Sequence, residues 1–308
     1  MGRVGVDLYP KQVGVTLADV RTFAKSLGGS PTNVAVAAAR LGRRVAVITK
    51  VGGDGFGTYV RQALAGFGVD TRWVGTEPSL HTPLVFAELF PPDRFPLTFY
   101  REPKAPDMTI TTAELDLDAI ARVPAFWTSG TGLSHEPSRG ATLAALDARG
   151  RRDFTIHDLD HREHLWRERA EARRLAGEAV RRATVVVGNL EEVELATGLR
   201  DARAAAAALL RMGPRLAIVK RGGEGAYART ARDEIAVPAV ETAVLNGLGA
   251  GDAFGGAICH GLLAGWPLAR TLAVANAAGA IVASRLACAD AMPTLDEIEA
   301  VLAKRVTA

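Results

Sequence analysis

From about residue 120 onward the chain alternates short apolar runs with longer helical ones, and this alternation restricts its folds more than any other feature. The runs "AFWTSG", "RDFTIHD", "ATVVVGN" and "RLAIVKRGG" read as strands, and the segments between them read as helices. Such an order predicts an α/β fold, a mostly parallel sheet with helices on both faces. Upstream, residues 1–8 read as a first strand, "SPTNVAVAAARLG" as a helix and "RRVAVITKVG" as the next strand. "DGFGTYVRQALAGFG" is a further helix with glycine at both ends. The texture then changes: "TRWVGTE", "TPLVFAELF" and "PLTFYRE" are short strands separated by Pro-rich turns. Together with part of 9–25 they predict a small separate β element, a lid over the sheet's carboxyl edge. The expectation is one domain over 1–308, with the lid formed by about 9–25 and 72–102.

Composition narrows the function classes. Of 308 residues, 48% are hydrophobic and 23% charged, which argues against a disordered chain. Thirty-seven basic residues face 34 acidic ones, a net charge of only +3. The Arg-rich stretch "HREHLWRERAEARRLAGEAVRRA" interleaves Glu with Arg, so it reads as a solvated helix and no nucleic-acid partner is expected. The most apolar run, "TLAVANAAGAIVAS", stops at Arg285, short of the roughly 20 residues of a membrane span. Cys259 and Cys288 lie in apolar contexts without metal-like spacing, which suggests buried thiols in a reducing compartment. With no signal peptide at the start, the expectation is a cytoplasmic protein with no membrane partner.

Chemistry is concentrated at glycine-flanked corners. In "NGLGAGDAFGGAICHGLLAGW" a helix follows the glycines, with Phe254, Ile258 and Leu262 recurring every four residues. Backbone N–H groups of Gly249, Ala250 and Gly251 at the positive end of that helix make an anion pocket. A carboxylate beside it, Asp252, would repel a phosphate unless it has another task. General base fits: it takes a proton from an attacking hydroxyl while the N–H groups hold the transferring phosphoryl. The plain alternative is an acidic residue in a first helical turn, with glycines for tight packing. In "GGSPTN", Asn33 presents an amide one turn into a helix beside a loop that a small polar ligand can approach, whereas capping by Ser30 or Thr32 explains the same residues. Asp7 ends the first strand, where open α/β sheets bind ligands.

In "GNLEE", Asn189 and Glu192 share a helix start, where an amide and a carboxylate can hold hydrated Mg²⁺ or simply cap the helix. "VKRGGEGAY" is a strand, a glycine turn and a strand, suited to lie against a nucleotide or to form a hairpin. "HDLDHREHLW" brings Asp158, Asp160 and Arg162 to another strand end.

Two of these stretches, "GGSPTNVAVAAARLG" and "NGLGAGDAFGGA", resemble the paired signatures of the ribokinase-like (PfkB) sugar kinases, and the resemblance runs over essentially the whole chain. It implies a three-layer α/β/α fold with a β-sheet lid that often forms a dimer interface, and ATP and Mg²⁺ as cofactors, with K⁺ a further candidate. By resemblance Asp252 is the catalytic base, and Gly249, Ala250 and Gly251 form the anion hole. Asn189 and Glu192 match the motif associated with Mg²⁺ and phosphate, acting on the metal through water. Lys220, Gly222 and Gly225 fall in the nucleotide-binding loop, and Asp7, Gly29 and Asn33 match sugar-contacting positions. Where the commoner loop opens with Asp-Thr, this chain has Asn246 and Gly247, which argues against cation ligation by the side chain at 246.

Within the family, "MGRVGVDLYP", "LFPPDRFPLTFYREPKAPD" and "VLNGLGAGDAFGGA" resemble the branch that phosphorylates 5-dehydro-2-deoxygluconate in myo-inositol breakdown, which also carries Asn-Gly. "HDLDHREHLW" resembles the Asp-x-Asn-x-Arg segment of acid-sugar kinases, with Asp160 replacing Asn. A carboxylate-bearing substrate needs cationic partners, and Arg101, Lys104 and Arg162 are the expected ones, with Lys50 a further candidate. The alternative for Arg101 is a solvent-facing lid residue. Rival readings are a 2-keto-3-deoxygluconate kinase, a fructokinase or a non-catalytic sugar binder. A Rossmann dehydrogenase is disfavoured, because no G-x-G-x-x-G follows the first strand. Apolar lid strands "VFAELF" and "LTFY" predict a homodimer through the lid.

Overall fold

The computed structural model describes residues 1–306. The chain divides into two compact units, one of residues 1–2, 108–239 and 262–269, the other of residues 3–107, 240–261 and from 270 on.

The first unit is built on a six-stranded sheet, in spatial order Glu234–Val237, Ala226–Arg229, Leu216–Lys220, Val185–Asn189, Phe154–Asp158 and Ala125–Ser129. The last four run parallel, and the first two add an antiparallel hairpin. Val185, Val186 and Val187 are buried, as expected of a parallel strand covered on both faces. Helices Arg169–Arg182, Leu190–Thr197 and Ala202–Arg211 supply Val180, Val193 and Leu209 to a core shared with Val186, Ala217 and Val219. The register sets Asp158 opposite Ser129 and Asn189 opposite Lys220, so polar residues end the parallel strands at one edge. The stretch after Asn189 holds two helices. Gly198 turns left-handed at φ 80° to end one, and the Asp201 carboxylate caps the next.

The second unit carries a four-stranded sheet in the order Phe23–Gly28, Gly5–Pro10, Leu84–Ala87, Leu97–Tyr100. The small β element expected from the sequence is therefore present, with shifted members. The first strand runs Gly5–Pro10, later than 1–8, and pairs antiparallel with Phe23–Gly28. The strand read from "TRWVGTE", Val74–Glu77, does not join this sheet and pairs in parallel with Thr49–Gly52. "RRVAVITKVG" is split into Val45–Ala46 and Thr49–Gly52, each half with its own partner. Helices Ser30–Arg40 and Gly55–Gly66 pack beside them. A Cβ on Gly256 would lie 2.3 Å from Ala37 Cβ, so the helices Ser30–Arg40 and Ala250–Leu263 meet backbone to backbone.

Candidate active site

The glycine corner of the second unit starts from a left-handed turn. Gly249 has φ 83°, and its carbonyl accepts from the N–H groups of both Asp252 and Ala253. That bond pair starts the helix Ala250–Leu263 and leaves the N–H groups of Ala250 and Gly251 with no acceptor inside it. Asp252 therefore stands in the first turn of a helix whose free donors favour an anion. Its Oδ2 accepts from Asn33 Nδ2 at 2.9 Å, so the two sequence signatures meet through these side chains. Asn33 is buried, and its Oδ1 has no hydrogen-bond partner within the protein.

Gly29, at φ 97°, precedes the helix Ser30–Arg40. A Cβ there would come within 2.6 Å of the Arg3 carbonyl, so only glycine fits. Ser30 caps nothing, and Thr32 Oγ1 instead donates back to the Gly28 and Gly29 carbonyls at 2.7 Å. The capping alternative for this motif is thus absent.

Asp7 lies against this corner. Burial, together with the nearby Asp252 charge, pushes its carboxyl up to about 6, while a hydrogen bond from Tyr9 and the Arg3 charge act the other way. Three neighbours surround it, of which Tyr9 and Cys288 are not among the expected site residues. Gly28 has no room for a Cβ, which would meet Asp7 Oδ1 at 2.0 Å. Tyr9 donates to Asp7 Oδ2 at 2.9 Å, and Cys288 Sγ is 2.7 Å from Tyr9 Oη. Alternation along Gly5–Pro10 places Asp7 and Tyr9 on one face, a signal the sequence does carry. Nothing in it announced Cys288, 279 residues away.

Asn246 is fully buried. Its Nδ2 donates to the Leu286 carbonyl at 2.6 Å, and its Oδ1 accepts from Leu248 N–H at 3.0 Å. Both ends of the amide brace the loop, which accounts physically for Asn in place of the commoner Asp. Gly247 lies against the Phe95 ring.

In the first unit the corresponding region is a charged cluster. Lys220 Nζ lies 3.4 Å from Asp158 Oδ2 and 3.9 Å from Glu192 Oε2. Asn189 and Glu192 form a reciprocal capping box, with Glu192 N–H donating to Asn189 Oδ1 at 2.9 Å and Asn189 N–H to Glu192 Oε2 at 2.7 Å. Burial, with Asp158 and Asp160 nearby, pushes Glu192 up to about 7 although Lys220 pulls it down; burial raises Asp158 as well. Among the described residues no group of three or more acidic, His or Cys side chains is arranged to hold a metal ion. The donor set fits Mg²⁺ only as one carboxylate reaching the ion through its waters, with phosphate oxygens completing the shell. Gly222, at φ 56°, has open space around it, and Gly225, at φ 87°, would clash with the Val237 carbonyl if it carried a Cβ.

The expected cationic partners differ in freedom. Arg101 is no solvent-facing residue: it is buried, ion-paired with Asp107, and its Nε lacks a partner within the protein. Lys104 is half-buried. Lys50 is buried with its stem packed over Gly75. Arg162 is the exposed member, 3.3 Å from Asp160 Oδ1, so the acid that replaces Asn there has its own counter-charge. Asp160 also accepts from Thr131 Oγ1 at 3.1 Å. Both cysteines are free and buried, and no helix among the described residues is long and apolar enough to cross a membrane.

A 5-dehydro-2-deoxygluconokinase from Geobacillus kaustophilus (strain HTA426) is 32% identical over 306 residues, covering 97% of this chain and 91% of its own. A fructokinase from Xylella fastidiosa, solved with bound ATP, superposes with TM-score 0.87 at 24% identity, over 99% of this chain and 97% of its own. That likeness establishes a ribokinase-like α/β fold. A fructokinase variant from Vibrio cholerae O395, solved with fructose, ADP and potassium ion, reaches TM-score 0.86 at 27% identity over 98% and 96% of the two chains. The pfkB family carbohydrate kinase model matches residues 1–295. The two glycine signatures, joined through Asn33 and Asp252, thus belong to a known family: this chain is a member of the pfkB family of carbohydrate kinases.

Proposed function

We propose that the chain transfers the γ-phosphoryl of ATP to the terminal hydroxyl of 5-dehydro-2-deoxy-D-gluconate. The observation that carries the chemistry is Asp252, held by the Asn33 amide at a helix N-terminus beside the Gly249–Ala250–Gly251 donors. The acceptor follows from the relatives named 5-dehydro-2-deoxygluconokinase, which match nearly the whole chain. Asp252 takes the hydroxyl proton as the oxygen attacks phosphorus, and the N–H groups offset charge on the transferring phosphoryl. Asp7, Gly29 and Asn33 orient the sugar, and Arg101, Lys104 and Arg162 are the cations offered to its carboxylate. Lys220, Gly222 and Gly225 cradle the nucleotide. Mg²⁺, held through water by Glu192 at the Asn189 helix start, would screen the phosphate charge.

A second copy is the proposed partner, docking on the four-stranded sheet. Tyr100 is 62% exposed on the end strand and meets Phe86 edge-to-face, with Phe23 beyond it. Light scattering should give twice the 32.5 kDa chain mass; a strictly monomeric mass would remove this partner.

The deciding experiment is Mg-ATP turnover on 5-dehydro-2-deoxygluconate, 2-keto-3-deoxygluconate, fructose and ribose, with Asp252→Asn alongside. Preference for the first acceptor, abolished in the variant, supports the reading. Turnover only with a neutral sugar keeps the kinase and discards both the acid substrate and the Arg101 role.

A further inference from the structure

Tyr9 and Cys288 belong to no motif of the reaction, yet they stand behind two of its groups at once. Tyr9 is 1% exposed and Cys288 3%. Tyr9 has a single hydroxyl proton, and Asp7 Oδ2, at 2.9 Å, accepts it. The proton of the 2.7 Å contact between Cys288 Sγ and Tyr9 Oη must then come from the thiol. Burial and the Asp7 and Asp252 charges hold that thiol far above its ordinary value, so it stays a donor throughout the working pH range. The result is a directed chain, S–H to O–H to carboxylate. Its far end lies close against the anion corner, where a Cβ on Gly249 would come within 2.6 Å of Cys288 Sγ.

We infer that Tyr9 and Cys288 are a positioning pair, which fixes the Asp7 carboxylate against Gly28 and seats the Gly249 turn from behind. The inference rests on the proposed role of Asp7 toward the sugar. Its physical logic is that an ionised carboxylate buried beside Asp252 needs donors to stay charged, and the Tyr9 hydroxyl is the hydrogen bond that lowers it. The other charged or titratable groups acting around it are Asp252 and Arg3 on Asp7 itself, Asp7 on Tyr59, and Asp290 on both Tyr59 and Cys288. Asp290 accepts from the Ser26 hydroxyl and, as a carboxylate, offers Asp7 no donor.

The test has one arm that does not depend on the substrate. In the full chain labelled with carboxyl-¹³C aspartate, the Asp7 signal is assigned by its loss in Asp7→Asn and titrated by NMR. The wild-type midpoint should lie at about 6. Tyr9→Phe should raise it by about one pH unit, whereas Cys288→Ser, which keeps a donor toward Tyr9, should move it by less than about 0.3 unit. A Tyr9→Phe midpoint equal to wild type overturns the pair, whatever sugar is turned over.

The second arm is the acid limb of kcat/KM for 5-dehydro-2-deoxygluconate. It should follow the NMR midpoint in each variant, with KM for the sugar raised about tenfold in Tyr9→Phe and KM for ATP unmoved. Cys288→Ala should lower kcat several-fold and Cys288→Ser should restore it. A shifted Asp7 titration with an unshifted acid limb would mean that Asp7 does not serve the acceptor, and the positioning role falls with that assignment.

Discussion

The two chemically dense regions of this kinase are built by opposite means. Around Asp252 the chain removes side chains: Gly28, Gly29, Gly249 and Gly256 each sit where a Cβ would collide with a neighbour at 2.0 to 2.6 Å. Around Lys220 it does the reverse and buries charge, with Asp158 and Glu192 arranged about one ammonium. The first region gains close backbone approach and exposed N–H donors at the cost of conformational freedom. The second carries the desolvation penalty of ions, offset only while the partners stay together. Steric removal leaves a fixed mark in the sequence, whereas charge compensation depends on who the neighbours turn out to be.

The sharpest way to break the comparison is chemical. Asp252→Asn keeps the Asn33 contact possible and the glycines intact, yet it should lower kcat about 10³-fold or more with little change in KM for ATP. Steady-state kinetics of the purified variant would check this, and a residual rate near wild type would remove the base from the mechanism.

Next in size is the charged region. Lys220→Met strands two buried carboxylates, and urea unfolding at pH 8 should show a loss of about 3 kcal/mol. Glu192 is raised from 4.5 to about 7, so its favourable contribution is present below 4.5 and lost as pH rises through about 7. Lys220 limits that loss in the wild type. The difference between variant and wild type should therefore shrink at pH 5.5, where the Glu192 carboxyl takes up a proton. A gap independent of pH would mean that the stem of Lys220, not its charge, matters.

Gly249→Ala and Gly222→Ala sharpen the steric side, because both glycines have positive φ but only one is crowded. Gly249→Ala meets Cys288 Sγ and should cost about 2 kcal/mol and much of kcat. Gly222→Ala has nothing within 4 Å and should cost about 1 kcal/mol, the backbone term alone. Equal losses in thermal unfolding would show that conformation, not contact, sets the price at both.

The smallest effect concerns monovalent cations. With both ends of the Asn246 amide bonded inside the loop, replacing K⁺ by Na⁺ in the assay should change kcat less than about twofold. A strong dependence on K⁺ would show that the loop carbonyls, not the side chain at 246, hold a cation.

Much of this architecture was legible beforehand, for identifiable reasons. The alternation after residue 120 marked the parallel strands because burial on both faces demands continuous apolar runs. "NGLGAGD" and "GGSPTN" were legible because positive φ and close approach admit few residues besides glycine. The small four-stranded sheet was legible as a change of texture but not in membership: Val74–Glu77 pairs with Thr49–Gly52, and a four-residue strand carries too little pattern to name its partner. Arg101 looked like a free cation, since Asp107 was only a nearby letter until the fold closed the buried pair. The capping box at Asn189 and the possible metal role were indistinguishable in sequence, because both ask for an amide and a carboxylate three residues apart.

The sequence by itself determined the α/β class and the positions of the glycine corners, since these rest on local periodicity and on stereochemistry that each residue carries with it; the family followed from the resemblance of its two signatures. Only the tertiary structure decided that Cys288 stands behind Tyr9 and Gly249, and that Lys220 lies beside both Asp158 and Glu192. Those relations join residues tens to hundreds of positions apart. Hydrogen bonds and charge compensation act over a few ångströms of space, so their partners exist only once the chain has closed around them.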